Sequence, residues 1–489
     1  MINKIEAVPP ESLRKIHDTS LRILNEIGVV VPHAEMLDRL AAHGARVDSE
    51  KQHVRLPAEL IAKAIADAGK AYTLHGRDLA NRARFGAGAR NYNSIAGEAL
   101  WLDAVGGERR YATLGDIRAA ARVADALDCI NICGAMADPH EIPAAWRCVA
   151  VAAEMLKNTA KPIAFWFHDR ASARYIVELI LAARGTVEEA IRHPLTYAFL
   201  EPISPLHFPF DGIDLLFETA RVGMPVSIGP MAQMGMSAPC SIAGTMAQEN
   251  AEILAGIVMA QLIRPGTPIC YGGICHAFDM ATTQMIFAGP EQAIFSVLAT
   301  QMGKFYGLPV YINAGLTDSK TPDAQAGLEI ASTLAYGIAA GADIFGHMGI
   351  CGVDQAASLD MLVLQNEIIS YLESANRPIE ASPETLAFET IRDVGPKGSF
   401  IDHMHTYENF RGALWFPRLL DRNYYDRWKR GGATDLASRI VQRKRELLAS
   451  SNPAPLPPDL DREFGRIVDS AQKHLSAPTR IRLRQSPNG

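Results

Sequence analysis

Short apolar segments typical of buried strands alternate with longer segments typical of helices between residues 91 and 375, and this pattern repeats eight times. The strand candidates lie near residues 93–97, 129–133, 162–167, 195–200, 225–228, 268–271, 309–312 and 342–345. The helical segments that follow them are 114–127, 144–157, 171–183, 212–222, 245–263, 292–306, 324–340 and 358–372. Eight successive units predict an α/β fold with a (β/α)8 TIM barrel, and a doubly wound parallel sheet is the alternative. No G-x-G-x-x-G segment follows the first strand, which disfavours a dinucleotide-binding fold.

The segments on either side of this pattern predict two further domains. Residues 1–90 combine helical segments at 11–27, 33–43 and 57–68 with short strand candidates, so we expect an α+β cap that serves packing and assembly. Residues 91–375 form the predicted barrel. Residues 376–489 predict a C-terminal, mainly helical extension.

The composition excludes several classes of protein. With 489 residues, of which 48% are hydrophobic, the chain can bury a large core. Lys and Arg total 48 against 54 Asp and Glu, and there is no basic cluster of the kind that binds nucleic acid. The first residues lack the apolar core of a signal peptide, and the longest apolar stretches are too short to span a membrane. We therefore expect a cytoplasmic protein that binds neither nucleic acid nor a membrane.

Polar and aromatic side chains follow the predicted strands at the points where they end. Ligands bind at the carboxyl ends of the strands in a barrel, so these positions are candidates for a binding site. They include Tyr92, Trp166, Phe167, His168, Glu201, Tyr271, His276, Phe345 and His347. A structural role is the alternative for most of them, because aromatic side chains pack in the wall or core of a barrel and histidines can be hydrogen-bonded core residues. A carboxylate such as Glu201 is costly to bury unless it is paired.

The segment of residues 309–325, PVYINAGLTDSKTPDAQ, places Asp318, Lys320, Asp323 and Gln325 between a predicted strand and a predicted helix. Such a junction in a parallel α/β protein is a place where ligands bind. The alternative is that Asp323 caps the helix behind Pro322 and that Lys320 is solvated.

The strongest metal-binding pattern is His403-Met404-His405, and no third ligand stands at a definite spacing from it. We therefore predict that no metal is bound.

Four segments resemble one known family. They are INAGLTDSKTPDAQAG at residues 312–327, FGHMG at 345–349, SLDMLVLQNEI at 358–368 and GSFIDHMHTYENFRGALWFPRLLDR at 398–422. They are similar to segments of the trimethylamine methyltransferase family, in its branch without pyrrolysine, and together with the barrel the resemblance covers nearly the whole chain. It implies a corrinoid-dependent methyltransferase that moves a methyl group from a methylated amine to Co(I) of a separate corrinoid protein.

The resemblance also implies a substrate class. Because the chain contains no pyrrolysine, trimethylamine is disfavoured, and a quaternary amine such as glycine betaine or a related betaine is expected. Aromatic faces would hold the cation, and Tyr92, Trp166, Phe167, Tyr271 and Phe345 are the candidate walls. His347 is the candidate partner of a betaine carboxylate.

Within the same interpretation, Asp318 and Gln325 flank the reacting end of the substrate. His347, Asp318 and Gln325 are therefore the candidate catalytic residues, and His168, Glu201 and His276 join the substrate-binding set.

The chain has no D-x-H-x-x-G segment, so we expect no permanently bound cofactor and a corrinoid (cobalamin) supplied by a cognate corrinoid protein. A homo-oligomer is also expected. The alternatives are a betaine- or methylamine-binding protein without turnover, a trimethylamine-type methyltransferase, and a metal-dependent barrel lyase or hydrolase.

Overall fold

The computed structural model of the chain describes residues 5–104, 107–450, 453 and 455–476. Eight short parallel strands lie at its centre: β1 Asn91–Ser94, β2 Cys133–Gly134, β3 Ile163–Ala164, β4 Ala198–Leu200, β5 Val226–Ile228, β6 Ile269–Gly273, β7 Val310–Asn313 and β8 Ile344–Met348. Each is followed by a main helix: α1 Leu114–Ala126, α2 Ala144–Asn158, α3 Arg170–Arg184, α4 Phe210–Thr219, α5 Ile242–Ile263, α6 Pro290–Phe305, α7 Ala324–Ala340 and α8 Leu359–Ala375. The predicted alternation is confirmed.

The eight strands form a curled, six-stranded parallel sheet and a separate parallel pair. Strands β4, β5, β6, β7, β8 and β1 make one continuous ladder in that order, whereas β2 and β3 pair with each other. An isolated bridge joins Asn93 to Ile132, and the N–H of Ile163 donates to the carbonyl of Leu195 at 3.1 Å. In the described residues the ladder does not run continuously around all eight strands, because β2 and β3 are only two residues long. The predicted closed barrel is therefore present only in part.

Alternate residues of a strand point to opposite faces of the sheet, and this parity decides which side chains can reach a ligand. The inner face carries Tyr197, Tyr311 and Ile344, which belong to one buried cluster. Tyr271 and Phe345 belong to the larger core cluster between the sheet and the helices.

The N-terminal residues close one end of the curled sheet. They form the helices Pro10–Arg22, Ala34–Ala42 and Ala58–Asp67, a π-helical turn Ile23–Ile27, an antiparallel sheet of Val29–Val30, His53–Arg55 and Arg46–Asp48, and a hairpin of Tyr72–His75 and Arg82–Phe85. Tyr72 and Phe85 of the hairpin stack at 4.3 Å and join the inner-face cluster. The N–H of Gly86 donates to Asp343, which immediately precedes β8. The hairpin thus fills the amino-terminal end of the sheet.

Two small sheets stand at the opposite, carboxyl-terminal end. One contains Ile350–Cys351, Ala356–Ser358, Leu100–Leu102 and Arg109–Tyr111, and the other contains Gln233–Met234, His276–Asp279 and Gln284–Ile286. The first is built from the loops that follow β8 and β1, and the second from the loops that follow β5 and β6. Because these strands are short and lie in polar loops, the apolar pattern of the sequence did not indicate them.

The C-terminal residues form six helices, which are Pro383–Leu386, Phe388–Val394, Met404–Ala413, Tyr425–Arg430, Leu436–Ser450 and Pro458–Leu475. Two further short helical segments, Val187–Arg192 and Ala220–Val222, lie earlier in the chain, between the strands of the central sheet. Lys444 on the first of the two long helices pairs with Asp360 at 2.9 Å. The four short helices before them bury no side chain, and the segments between these helices expose the apolar residues Ile401 and Tyr424. No helix in the described part of the chain is long and apolar enough to cross a membrane.

Candidate functional site

A narrow chamber lies on the inner face of the curled sheet, near the carboxyl ends of the strands. Its free volume of about 10 Å³ is the space of one water-sized group. A wider cleft of about 480 Å³ adjoins it and opens to solvent. Trp166 and Phe199 line both spaces, so the chamber is a recess at the inner end of the cleft.

Aromatic rings form most of the chamber wall. Phe199 meets the ring of Trp166 edge to face at 5.9 Å and the ring of Tyr311 at 5.4 Å. Tyr197, two residues before Phe199 in the chain, points to the same inner face and also lines the chamber. The indole N–H of Trp166 donates to the carbonyl of Gly97 at 2.9 Å, which fixes the orientation of that ring. Four aromatic rings of the inner face, from three strands or strand ends, therefore surround one small space, and Phe165, which also lines it, belongs to the larger core cluster.

Four carboxylates from the loops after four different strands lie close enough to influence one another: Glu98, Asp138, Glu201 and Asp354. The backbone N–H of Asp138 donates to the carbonyl of Glu98 at 2.7 Å, and Glu201 lines the cleft. Both Glu201 and Asp354 also act electrostatically on Tyr311 in the chamber wall. Acidic side chains therefore border the aromatic recess.

Burial controls the protonation of these groups. Burial and the nearby charge of Asp354 raise the pKa of Glu201 to about 7. Burial, followed by Asp354, Asp138 and Glu201, raises the pKa of Glu98 well above its usual range, and burial also raises the pKa of Asp354. Glu98 therefore keeps its proton at neutral pH, and Glu201 titrates there.

His168 stands at the edge of the cleft beside one of the carboxylates. Its Nε2 lies 3.7 Å from Asp138, and its Nδ1 is 3.0 Å from the carbonyl of Ala144. Contact with Asp138 raises the pKa of His168 well above its usual value. The two residues form an ion pair at neutral pH.

Two histidines lie deeper and are uncharged. Burial lowers the pKa of His347 to about 3, and burial followed by His347 lowers the pKa of His276 to about 3. Nδ1 of His347 is 3.2 Å from the hydroxyl of Tyr311, and the side-chain amide of Asn313 donates to Nε2 of His276 at 3.1 Å. His347 lines the chamber and has a left-handed backbone with φ of 76°, which non-glycine residues rarely adopt. Such strain is concentrated at functional sites.

Comparison with known proteins identifies the family. The family model described as trimethylamine methyltransferase (MTTB) matches residues 1–476. The chain belongs to this family. It is 29% identical over 477 residues to a glycine betaine methyltransferase of Desulfitobacterium hafniense (strain Y51). This alignment covers 97% of this chain and 99% of that protein. It is 30% identical over 486 residues to the trimethylamine methyltransferase MttB of Methanosarcina barkeri (strain Fusaro / DSM 804), which covers 95% of this chain and 94% of that protein.

Among solved structures, the monomethylamine methyltransferase (MtmB) of Methanosarcina barkeri covers 96% of this chain and 88% of its own, with a TM-score of 0.48 at 10% identity.

The structure brings together part of the site that the sequence predicts for this MTTB family member. Trp166 lines both spaces, His347 lines the chamber, and Phe167, His168 and Glu201 line the cleft. His276 is fully buried next to this group, and His347 acts electrostatically on it.

Three predicted cage residues lie elsewhere. Tyr92 stacks on Phe345 at 5.0 Å and its hydroxyl donates to Glu373 on α8. The hydroxyl of Tyr271 donates to Asn250 on α5 at 3.1 Å. All three side chains point outward between the sheet and the helices, so Tyr92, Tyr271 and Phe345 do not line the chamber or the cleft.

The predicted catalytic residues Asp318 and Gln325 are also away from the chamber lining. Asp318 accepts a hydrogen bond from the N–H of Phe287 at 3.0 Å, and Phe287 in turn stacks on His276. Gln325 is exposed and donates to Glu329 one helical turn later at 2.8 Å. Asp323 caps α7 by accepting a hydrogen bond from the N–H of Ala326 at 2.9 Å. Helix capping is the alternative role that the sequence indicates for this residue. These contacts hold the loop after β7 in place.

Several site residues were missed: Tyr197, Phe199, Tyr311, Glu98 and Asp354. Strand parity is the signal that identifies the first three, because in β7 the residues on either side of Tyr311 belong to the outer core. Glu98 and Asp354 lie in the polar loops that follow β1 and β8 and are far apart in sequence, so only the fold brings them together.

A second cavity of about 540 Å³ lies next to the four-stranded small sheet and is lined by residues including Glu108, Arg109, Lys320 and Cys351. It shares no lining residue with the chamber or the cleft. Within the described ranges, no group of three or more His, Cys, Asp or Glu side chains is arranged to hold a metal ion. Nδ1 of His403 accepts from the N–H of His405 at the start of a helix in the C-terminal region.

Proposed function

We propose that this protein transfers a methyl group from a quaternary amine to the Co(I) corrinoid of a separate protein. The observation that carries the proposal is an aromatic recess at the inner end of an open, acidic cleft, in a chain of the trimethylamine methyltransferase family. The proposal includes a complete (β/α)8 barrel around this recess, which the Asn93–Ile132 bridge and the Ile163–Leu195 hydrogen bond support.

The side chains of the chamber suit a cation of this kind. A ring face stabilises a desolvated ammonium group by about 0.5–2 kcal/mol, and four rings surround the chamber. The chamber has the space of one water-sized group, into which one methyl would project, and the cleft is large enough for the remainder of a small amine. With one methyl in the recess, the opposite methyl points out of the cleft toward the acceptor.

The corrinoid supplies the nucleophile that receives the methyl group. The carbon–nitrogen bond breaks, its electron pair stays on nitrogen, and a neutral tertiary amine leaves, so the reaction requires no acid. The contributions of this chain are to bind the cation, to aim one methyl outward and to exclude water from the recess.

The surface around the cleft suits a protein acceptor. Ile203, Phe210, Met236 and Met280 stand on loops or helix starts after β4, β5 and β6, and all four are strongly exposed. Ile203 and Met236 also line the cleft. An apolar rim of this kind fits a partner that covers the opening of the cleft during transfer.

Incubation of the purified protein with free cob(I)alamin and each of glycine betaine, choline and tetramethylammonium tests the proposal. Formation of the corresponding tertiary amine, followed by NMR, is the expected result with at least one of them, and trimethylamine should not be turned over at a comparable rate. Saturable binding without demethylation would favour the ligand-binding alternative. Neither binding nor demethylation of any quaternary amine would refute the proposal.

A further inference from the structure

The chamber and the cleft carry acidic groups without a strong base opposite them. None of their lining residues, as far as the chain is described, is a lysine or an arginine. Their basic side chains are His347, which is uncharged, and His168, which is paired with Asp138. Arg109 and Lys320 line the separate second cavity. A ligand in the proposed site therefore meets carboxyl groups and ring faces.

One carboxylate is held in an unfavourable environment. The carboxyl group of Asp354 shares a hydrogen bond with Glu98, but its Oδ1 is buried and has no hydrogen-bond partner in the described part of the chain. Its backbone is left-handed, with φ of 59°. Burying an acidic oxygen without a partner is costly, and costs of this kind persist at sites where a ligand supplies the missing interaction. A positively charged group of the ligand would stabilise this oxygen electrostatically.

We propose that the site selects quaternary ammonium compounds that carry no carboxylate, with choline as the model ligand, over betaines. This inference rests on the proposed methyltransferase function and narrows its substrate class. The cationic head gains from the rings and from Glu201 and Asp354 together. A betaine also brings a negatively charged carboxylate into the same small space, where the carboxylates of the site repel it. The glycine betaine expected from the sequence is then the disfavoured substrate.

Proton linkage gives this inference a measurable signature. The titratable groups that line the chamber or the cleft are His168, Tyr197, Glu201, Asp211, Tyr311 and His347, and Glu98, Asp138 and Asp354 lie within electrostatic reach of them. Glu201, with its pKa raised to about 7 by burial and Asp354, changes charge most between pH 6 and pH 8, and Asp354, whose pKa burial raises to about 6, adds to the change at the lower end. A bound cation favours the ionised carboxylate and so lowers the pKa of Glu201, which releases a proton. Binding of a cation should therefore tighten as the pH rises.

Calorimetric titration of the full chain with choline and with glycine betaine at pH 6 and pH 8, without corrinoid, tests the inference. We expect choline to bind about tenfold more tightly than glycine betaine at pH 8. Its affinity should rise about tenfold between pH 6 and pH 8, the change that one carboxyl group of pKa near 7 can produce. Titrations at pH 7 in two buffers of different ionisation enthalpy should show proton release.

Glu201→Gln should remove most of this pH dependence and weaken choline at pH 8. Glu108→Gln is the matched control, because Glu108 lines only the second cavity and should leave both affinities unchanged. The pH profile of the unmodified protein tests the inference even if a variant folds poorly.

Equal or tighter binding of glycine betaine at pH 8 would overturn the inference. A betaine affinity that rises as the pH falls would do so too, because protonated carboxyl groups would then be donating to the ligand carboxylate. In either case, demethylation of glycine betaine with cob(I)alamin would leave the proposed function intact. Loss of both binding and demethylation for all quaternary amines would instead refute the function itself.

Discussion

Replacing Trp166 tests whether ring faces, rather than shape alone, hold the ligand. Trp166 lines both the chamber and the cleft, and its orientation is fixed by the hydrogen bond to Gly97 and the edge contact with Phe199. Trp166→Ala removes one of the four rings. Since a desolvated cation gains about 0.5–2 kcal/mol from such a ring, the dissociation constant of choline should rise about 2- to 30-fold.

The assay compares choline with 3,3-dimethylbutanol, in which a carbon atom replaces the charged nitrogen at nearly the same shape. Both ligands lose contact area in Trp166→Ala, and only choline loses the attraction between cation and ring. Trp166→Phe keeps a ring face and should retain most of the choline affinity, whereas Trp166→Leu should not. Equal losses for the charged and neutral ligands would refute the cation–ring argument.

Trp415→Ala is the matched control. Trp415 is also partly buried, and its indole N–H donates to Ser370 at 3.0 Å, but it lines neither the chamber nor the cleft. It should change the thermal midpoint without changing the affinity for choline.

Glu249→Gln should stabilise the protein by up to about 3 kcal/mol at pH 7. Burial raises the pKa of Glu249 to about 8, so the stabilising contribution of its protonated form is complete below pH 4.5 and is lost as the pH rises, whereas glutamine does not titrate. Thermal midpoints at pH 4.5 and pH 7 check this, with the exposed Glu50→Gln as control, and a gain at pH 4.5 as large as at pH 7 would contradict it. Ile401→Ser with Tyr424→Ser should reduce self-association in light scattering, because these apolar side chains need a covering surface; a monomeric parent chain would rule this out. The isolated chain should leave every quaternary amine intact until a corrinoid is added, and tertiary amine appearing without one in NMR would disprove that.

The helices were predictable because each is marked by a long apolar run between polar turns. Helix α7, for example, is observed with the bounds that the sequence predicts, and its cap, Asp323, is the residue type expected there. Such signals are local, so they do not depend on how the chain is folded elsewhere. The alternation of eight strands and eight helices along the chain is marked by local signals in the same way.

The aromatic residues of the site were harder to predict because a strand has two faces. Tyr271 and Phe345 were chosen as ring walls, yet they lie on the outer face, and Tyr311 on the inner face was missed. A shift of one residue moves a side chain from one face to the other, and buried parallel strands are apolar on both faces, so composition does not distinguish them. The register of neighbouring strands, such as Tyr311 opposite Ile344, supplies that information only in the folded protein.

The two ends of the curled sheet differ in how they are filled, and this difference leads to a last prediction. The amino-terminal end is filled by the stacked rings of Tyr72 and Phe85. The carboxyl end holds Asp354, whose buried Oδ1 lacks a partner in the described residues and whose backbone is left-handed.

Asp354→Asn removes the charge and places a residue that tolerates this backbone, so the thermal midpoint should rise by a degree or two. The affinity for choline should fall in the same variant, because a carboxylate that acts electrostatically on Glu201 and Tyr311 in the site is gone. Choline should therefore stabilise the parent chain against heat more than it stabilises the variant. A variant that is less stable than its parent and binds choline equally well would show that Asp354 supports the fold and not the ligand.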